Sequence, residues 1–169
     1  MPKSLKNSPE IIKEKKDYLR ERAIGYIALR ARSEKEINDY LFKKSKFFPG
    51  IITEKEIAEI IVDLKEENFI NDLKFITWWV ESRNYFRPKS KIILIQELRQ
   101  KGVGRDIIGD YFENNSQDEL VTATTIIGKY IKKYKGLDNK QQFQKVVSHL
   151  MRSGFSYQIA KSAFEEFVK

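Results

Sequence analysis

The sequence predicts an all-α protein: three tandem three-helix repeats behind an N-terminal helical extension. Three observations carry that prediction. Residues 97–113, ELRQKGVGRDIIGDYFE, reappear without a gap as residues 149–165, HLMRSGFSYQIAKSAFE, which sets Leu98 on Leu150, Gly102 on Gly154, Ile107 on Ile159 and Phe112 on Phe164. Apolar residues recur at helical spacing throughout, with no strand-like alternation. Capping residues and Gly/Pro stops divide the chain into segments of helix length. Units of this kind bury their apolar faces by stacking on one another, so an elongated molecule is expected.

The elements follow in order. Ser8–Pro9 open the first helix as N-cap and N1, and Leu19, Ala23, Tyr26 and Ile27 share its face. Ser33 with Glu36 forms a capping box ahead of Ile37, Tyr40 and Leu41, and Thr53 with Glu56 forms another ahead of Ile57, Ile60, Ile61 and Leu64. Phe47–Phe48–Pro49–Gly50 separates those two helices. Three helices follow over about 71–86, 88–101 and 104–114, with Pro88 in a first turn, Gly102 past a helix end, and Ile107, Ile108, Tyr111 and Phe112 as a stripe. The last three run over about 117–134, 138–153 and 156–167, with Asp138 and Gln141 as a third box and Gly136 and Gly154 as stops. The modules are read as an extension over 1–22, then repeats over 23–70, 71–115 and 116–169. The first repeat is the most divergent, with about seven extra residues near Phe47–Ile52.

Charge repeats with the helices. Residues 82–105 carry Arg83, Arg87, Lys89, Lys91, Arg99, Lys101 and Arg105 against one acid, Glu97. Residues 106–128 carry Asp106, Asp110, Glu113, Asp118 and Glu119 and no base. Residues 129–152 are basic again, with Lys129, Lys132, Lys133, Lys135, Lys140, Lys145 and Arg152 against Asp138. A weaker version opens the chain: six bases and three acids over 30–46, then seven acids and two bases over 53–72. With a net charge of +8, this favours a polyanionic partner or a filament groove of alternating sign. Solvated helix faces, with cations near helix C-termini, are the structural alternative. The residues expected to meet the partner are Arg83, Tyr85, Arg87, Lys89, Lys91, Arg99, Lys101, Arg105, Lys129, Lys132, Lys133, Lys135 and Arg152.

Catalytic signals are thin. The chain has no cysteine and one histidine, His149, whose repeat counterpart Glu97 predicts a surface position. Gly128–Lys129–Tyr130 lacks the remainder of a P-loop. Trp78 and Trp79 differ by about 100° around a helix, so one is expected in the core with Phe75 and the other half exposed or between modules. Tyr85 and Phe86, amid Arg83, Arg87 and Lys89, are the better candidates for a basic-aromatic contact, with packing as the preferred reading. No cofactor, metal or enzymatic activity is expected. No apolar run reaches the ~18 residues of a membrane span, and the N-terminal stretch has no signal-peptide core, so a soluble, cytoplasmic protein is expected. A monomer is expected as well.

Three stretches in order resemble the RecX family of recombination regulators. ALRARSEKEINDYL at 28–41 matches the family's opening pattern through Arg30, Ser33, Glu36 and Leu41. ENFINDLKF and VESRNYFRPKSKIILIQELRQKGV match the centre through Phe69, Ile70, Asp72, Phe75, Ser82, Arg83, Glu97, Leu98, Lys101, Gly102 and Val103. The closing HLMRSGFSYQIAKSAFE matches through Leu150, Arg152, Gly154, Phe155 and Ile159. The chain departs from the pattern at Asn68, where the family has Gly, and at Asn71, where it has an acid; Asn can hold the left-handed turn that the stop needs. The resemblance implies a curved, elongated stack of three modules. It also implies a non-enzymatic modulator of the RecA recombinase that lies along the filament groove and limits filament growth or activity. Single- or double-stranded DNA is expected as a second partner, bound more weakly alone. An autonomous DNA-binding protein of helix-turn-helix-like modules is the alternative.

Overall fold

The structure, a computed structural model, describes residues 8–115 and 118–168. Residues 1–7 of the extension, and 116, 117 and 169 of the last repeat, lie outside them. Among the described residues the regular structure is entirely helical: α1 (Pro9–Ala28), α2 (Glu34–Ser45), α3 (Glu54–Glu66), α4 (Asp72–Phe86), α5 (Lys91–Gln100), α6 (Arg105–Asn114), α7 (Glu119–Tyr130), a 3-10 turn (Ile131–Tyr134), α8 (Asn139–Arg152) and α9 (Tyr157–Phe167). The chain forms two compact units. One runs to Ile76 and takes in Gln100–Ile107; the other holds Thr77–Arg99 and the described chain from Ile108 onward.

The first unit is built on α1, α2 and α3. The Ser8 hydroxyl accepts from Ile11 N, and α1 then runs unbroken to Ala28. Leu19 and Ala23 on α1, Ile37 and Leu41 on α2, and Ile57, Ile60, Ile61 and Leu64 on α3 form one core. Each large aliphatic side chain buried there stabilises the fold by about 1.5–3 kcal/mol relative to exposure. The Thr53–Glu56 box forms in both directions. The Ser33–Glu36 box forms in one: Ser33 Oγ accepts from Glu36 N, while the Glu36 carboxylate turns away to Arg30 and Lys101. At Asp138 only the cap is made, from Gln141 N to Asp138 Oδ1. Asn68 ends α3 at φ 61°, as its short polar side chain permits, with Phe69 N and Ile70 N returning to Leu64 O. Asn71 takes the cap of the next helix, its Oδ1 accepting from Lys74 N.

The second unit is centred on α7, α8 and α9, where Ala123, Ile126, Ile127, Val146, Val147, Leu150, Phe155, Ala160, Ala163 and Phe164 pack together. Three expectations change across the two units. Helix α5 opens at Lys91, since Ser90 Oγ caps it by accepting from Ile93 N; Pro88 therefore precedes the helix. Ile107 leaves the α6 stripe, being 39% exposed. Neither tryptophan is buried: Phe75, Ile76 and Val80 fill the core positions of α4, and both indoles are half-buried.

One docking arrangement recurs inside each unit. In the first, the buried Ser33 at the N-cap of α2 donates to Lys101 O, and Glu34 N, the first amide of α2, donates to Asp72 Oδ1. In the second, the buried Ser90 at the N-cap of α5 donates from its amide to Ser153 O, and Lys91 N, the first amide of α5, donates to Glu119 Oε1. In both, a helix N-terminus with unpaired amides is closed by an acid from a later helix and by the turn around a later glycine. Those glycines, Gly102 and Gly154, have φ of 83° and 93°, so the two turns are equivalent.

Candidate anion-binding face

The expected binding residues separate into those used by the fold and those left to solvent. Arg83 is used: its Nε donates to Glu97 Oε2 at 2.8 Å, its guanidinium lies 4.6 Å from the Trp79 ring centre, and Trp79 Nε1 donates to the same carboxylate at 2.9 Å. Lys101 is used as well, with Nζ 2.8 Å from Glu36 Oε1. Burial alone would raise the Glu36 carboxyl, but the hydrogen bonds and charges of Arg30 and Lys101 hold it down at about 2. Lys91 lies 5.5 Å over the Phe112 ring. Arg99 is exposed in the last turn of α5, and Arg105 is exposed at the start of α6 in the first unit.

The second unit gathers the others. Arg87 and Lys89 from the α4–α5 loop and Lys129 from the end of α7 line a concavity of about 340 Å³, together with Phe86, Pro88, Ile126, Tyr130, His149 and Ser153. Lys129 Nζ reaches Tyr85 O at 3.3 Å. Lys133, on the 3-10 turn, lies 4.8 Å over the Tyr130 ring. Lys132, Lys135 and Arg152 are exposed. Among the described residues no ion pair engages Arg87, Lys89, Lys129, Lys132, Lys133, Lys135 or Arg152, and no carboxylate lines the concavity. Cations from two basic blocks some forty residues apart thus meet at one concavity that no described carboxylate lines.

Tyr85 and Phe86 depart from the packing expectation: they are 75% and 74% exposed, edge to face at the rim. His149 departs from its expected surface position. It is half-buried, its ring centre lies 3.8 Å from that of Tyr130, and it lines the concavity. Burial first, then the charges of Arg152, Lys89 and Lys133, push its pKa below the ordinary histidine value, leaving it neutral at pH 7. The repeat register held a signal for this. Glu97 neutralises Arg83, and the matching position in the last repeat holds a histidine that cannot do so.

A groove of about 470 Å³ between α1 and α3 offers no such face, since its charges alternate and pair internally, Lys16 with Glu59 and Lys55 with Glu59. No described helix is long and apolar enough to cross a membrane.

Fold and face together define a tandem three-helix repeat protein with a basic surface. Residues 71–110 match the second three-helix domain of RecX, and residues 117–164 match the third. The chain belongs to the RecX family. The Regulatory protein RecX of Bacillus pumilus is 33% identical over 147 residues, covering 86% of this chain and 54% of that protein. The one from Streptococcus pneumoniae strain Hungary19A-6 is 31% identical over 165 residues, covering 94% and 61%. The crystal structure of RecX from Lactobacillus salivarius shares the fold, with a TM-score of 0.73 at 23% identity, covering 92% of this chain and 97% of that one. The chain spans between about half and three fifths of the length of these curated relatives.

Proposed function

We propose that this protein is a non-enzymatic cytoplasmic regulator that binds along a RecA-type recombinase filament as a monomer and lowers recombinase activity. Its three modules, 23–70, 71–115 and 116–169, act as linked contacts. Each weak contact becomes intramolecular once the first is made, so affinity grows without a single strong anchor. The observation that carries this reading is the unpaired basic face of the second unit in a chain of the RecX family. The acidic side chains Asp106, Asp110 and Glu113 on α6 are exposed, which suits a partner surface that alternates in sign.

Reversal of four cations tests the face. Arg87, Lys89, Lys129 and Lys133 replaced by Glu are expected to weaken co-sedimentation with a nucleotide-bound recombinase filament tenfold or more, because attraction becomes repulsion. Arg83 and Lys101 are left alone, since changing them would break Glu97 and Glu36 contacts. Three exposed acids of α3, Glu54, Asp63 and Glu66, replaced by Lys form the control. Equal loss from both sets would remove the assignment.

Direct DNA binding is the second reading, favoured by the exposed Tyr85 and Phe86 at the rim of the basic concavity. Salt separates the two. Six to ten phosphate contacts would lose ~10³–10⁵ in affinity between 50 and 200 mM salt. Filament binding is expected to exceed binding to bare single-stranded DNA and to fall less steeply. Equal affinities with equal salt slopes would transfer the function to DNA binding alone.

A further inference from the structure

We propose that the concavity formed by the α4–α5 loop and the ends of α7 and α8 is a specific site for one phosphate group, held by Arg87, Lys89 and Lys129. The site goes beyond the filament reading and does not depend on it.

Three features point to an anion of this class. The first is charge without compensation: two lysines and an arginine converge on about 340 Å³ of space that no described carboxylate lines. A carboxylate ligand is satisfied by one arginine fork, whereas a phosphate presents oxygens in several directions and suits donors from separate elements. The second is an unused donor. Ser153 lines the concavity, and since every buried side-chain polar atom of the described residues has a hydrogen-bond partner while its hydroxyl has none, that hydroxyl is open to the concavity. Its backbone is fully engaged, the amide with His149 O and Leu150 O and the carbonyl with Ser90 N, so the side chain stays beside the opening. The third is His149 itself. A half-buried imidazole tilted 31° against the Tyr130 ring sits among Lys89 and Arg87 of the loop, Lys129 of α7, Lys133 of the 3-10 turn and Arg152 of its own helix. No acid of those elements faces it. Empty, this environment keeps the ring neutral. A phosphate in the same space supplies the missing negative charge, so the imidazole takes a proton from solvent and donates an N–H to a phosphate oxygen. Tyr130 holds the ring plane and stacks on the resulting cation.

The linkage has a definite sign. Ligand raises the pKa of His149, so affinity for a phosphodiester, whose charge is fixed, grows as pH falls through the bound-state value and levels off below the free-state value; a phosphate monoester loses its second charge at a pH of about 6, which offsets part of that gain. A rise of one unit corresponds to tenfold tighter binding at the acid limit.

The phosphate can come from a nucleic-acid backbone or from a free phosphate monoester, and the test distinguishes them. His149 is the only histidine in the chain, so its ring resonances are assigned without ambiguity. The imidazole Cε1–Hε1 signal of the full chain is titrated with pH at constant ionic strength in chloride, inorganic phosphate, thymidine monophosphate, and oligothymidylate lacking terminal phosphates. The expected result is a pKa raised by about one unit in at least one phosphate-bearing probe and unchanged in chloride, with the rise halved or more in Lys129→Ala and kept in Lys140→Ala. A rise with oligothymidylate identifies a backbone site; a rise confined to phosphate and the mononucleotide identifies a site for free phosphate esters. No rise with any probe, or a rise unaffected by Lys129→Ala, overturns the proposal. Filament co-sedimentation of the unmodified chain is measured in parallel. If it persists while His149 is silent, the phosphate site fails and the filament reading stands; the opposite pattern removes the filament reading alone.

Discussion

Replacing Gly154 by valine is expected to destabilise the protein by about 3–5 kcal/mol. Gly154 holds φ 93°, a region that costs an L-residue ~1–2 kcal/mol and a β-branched one more. A Cβ placed there also collides with Ile93 Cγ1 and with Ser90 Oγ, the buried cap of α5. Neither is the free end of a flexible chain, so the turn itself must move, at about 1–3 kcal/mol for overpacking. Movement would loosen the bond from Ser90 N to Ser153 O, worth about 1 kcal/mol. For a chain of this length the midpoint of thermal unfolding should drop by roughly 6–20 °C. Gly102→Val is expected to follow with a smaller loss, since its Cβ would lie 2.6 Å from Lys35 Cβ on an exposed residue. Gly109→Ala is the control: it lies inside α6 with nothing within 4 Å of an added Cβ, and alanine there should stabilise by about 0.5–1 kcal/mol. A Gly154→Val melting point within 2 °C of the parent would show that the turn is not held as described.

Replacing Glu36 by glutamine is expected to cost about 2–3 kcal/mol at pH 7, and the loss should shrink in acid. The carboxylate receives two bonds from Arg30 at 3.0 Å and one from Lys101 at 2.8 Å, with a side chain only 14% exposed. Its folded pKa of about 2 lies below the unfolded value near 4.5, so its contribution is complete above pH 4.5 and is lost as pH falls toward 2. That difference corresponds to about 3 kcal/mol, reduced somewhat because Lys101 and Arg30 remain partly hydrated. Urea midpoints of parent and variant at pH 7 and pH 3.5 measure it. A gap of the same size at both values would assign the loss to shape rather than charge. The same network explains why Lys101→Ala is expected to appear in stability more than in partner binding.

The ion pair of Lys101 with Glu36 also marks where the sequence stops being informative. Helix ends were readable because caps and left-handed turns act within about four residues: Ser8, Thr53, Asp138, Asn68, Gly102 and Gly154 all perform the local role their chemistry indicates. The ungapped repeat and the periodic charge were equally plain, and with them the RecX resemblance. Small local errors came from the same rule applied too far. Pro88 is a credible helix opening until Ser90 supplies a cap oxygen.

The sequence by itself determined the helical repeat, the turns and the alternation of charge, because each depends on neighbours a few residues away. Only the tertiary structure decided which cations remain available. Lys101 meets Glu36 across 65 positions, Arg83 meets Glu97 across 14, and Lys129 reaches Tyr85 across 44. It also moved His149 from a surface position to the wall of a basic concavity, and left Tyr85 and Phe86 in solvent where packing was expected. The physical reason is range: a cap is satisfied along the chain, whereas a charge is paired or left free by whatever the fold brings within a few ångströms of it.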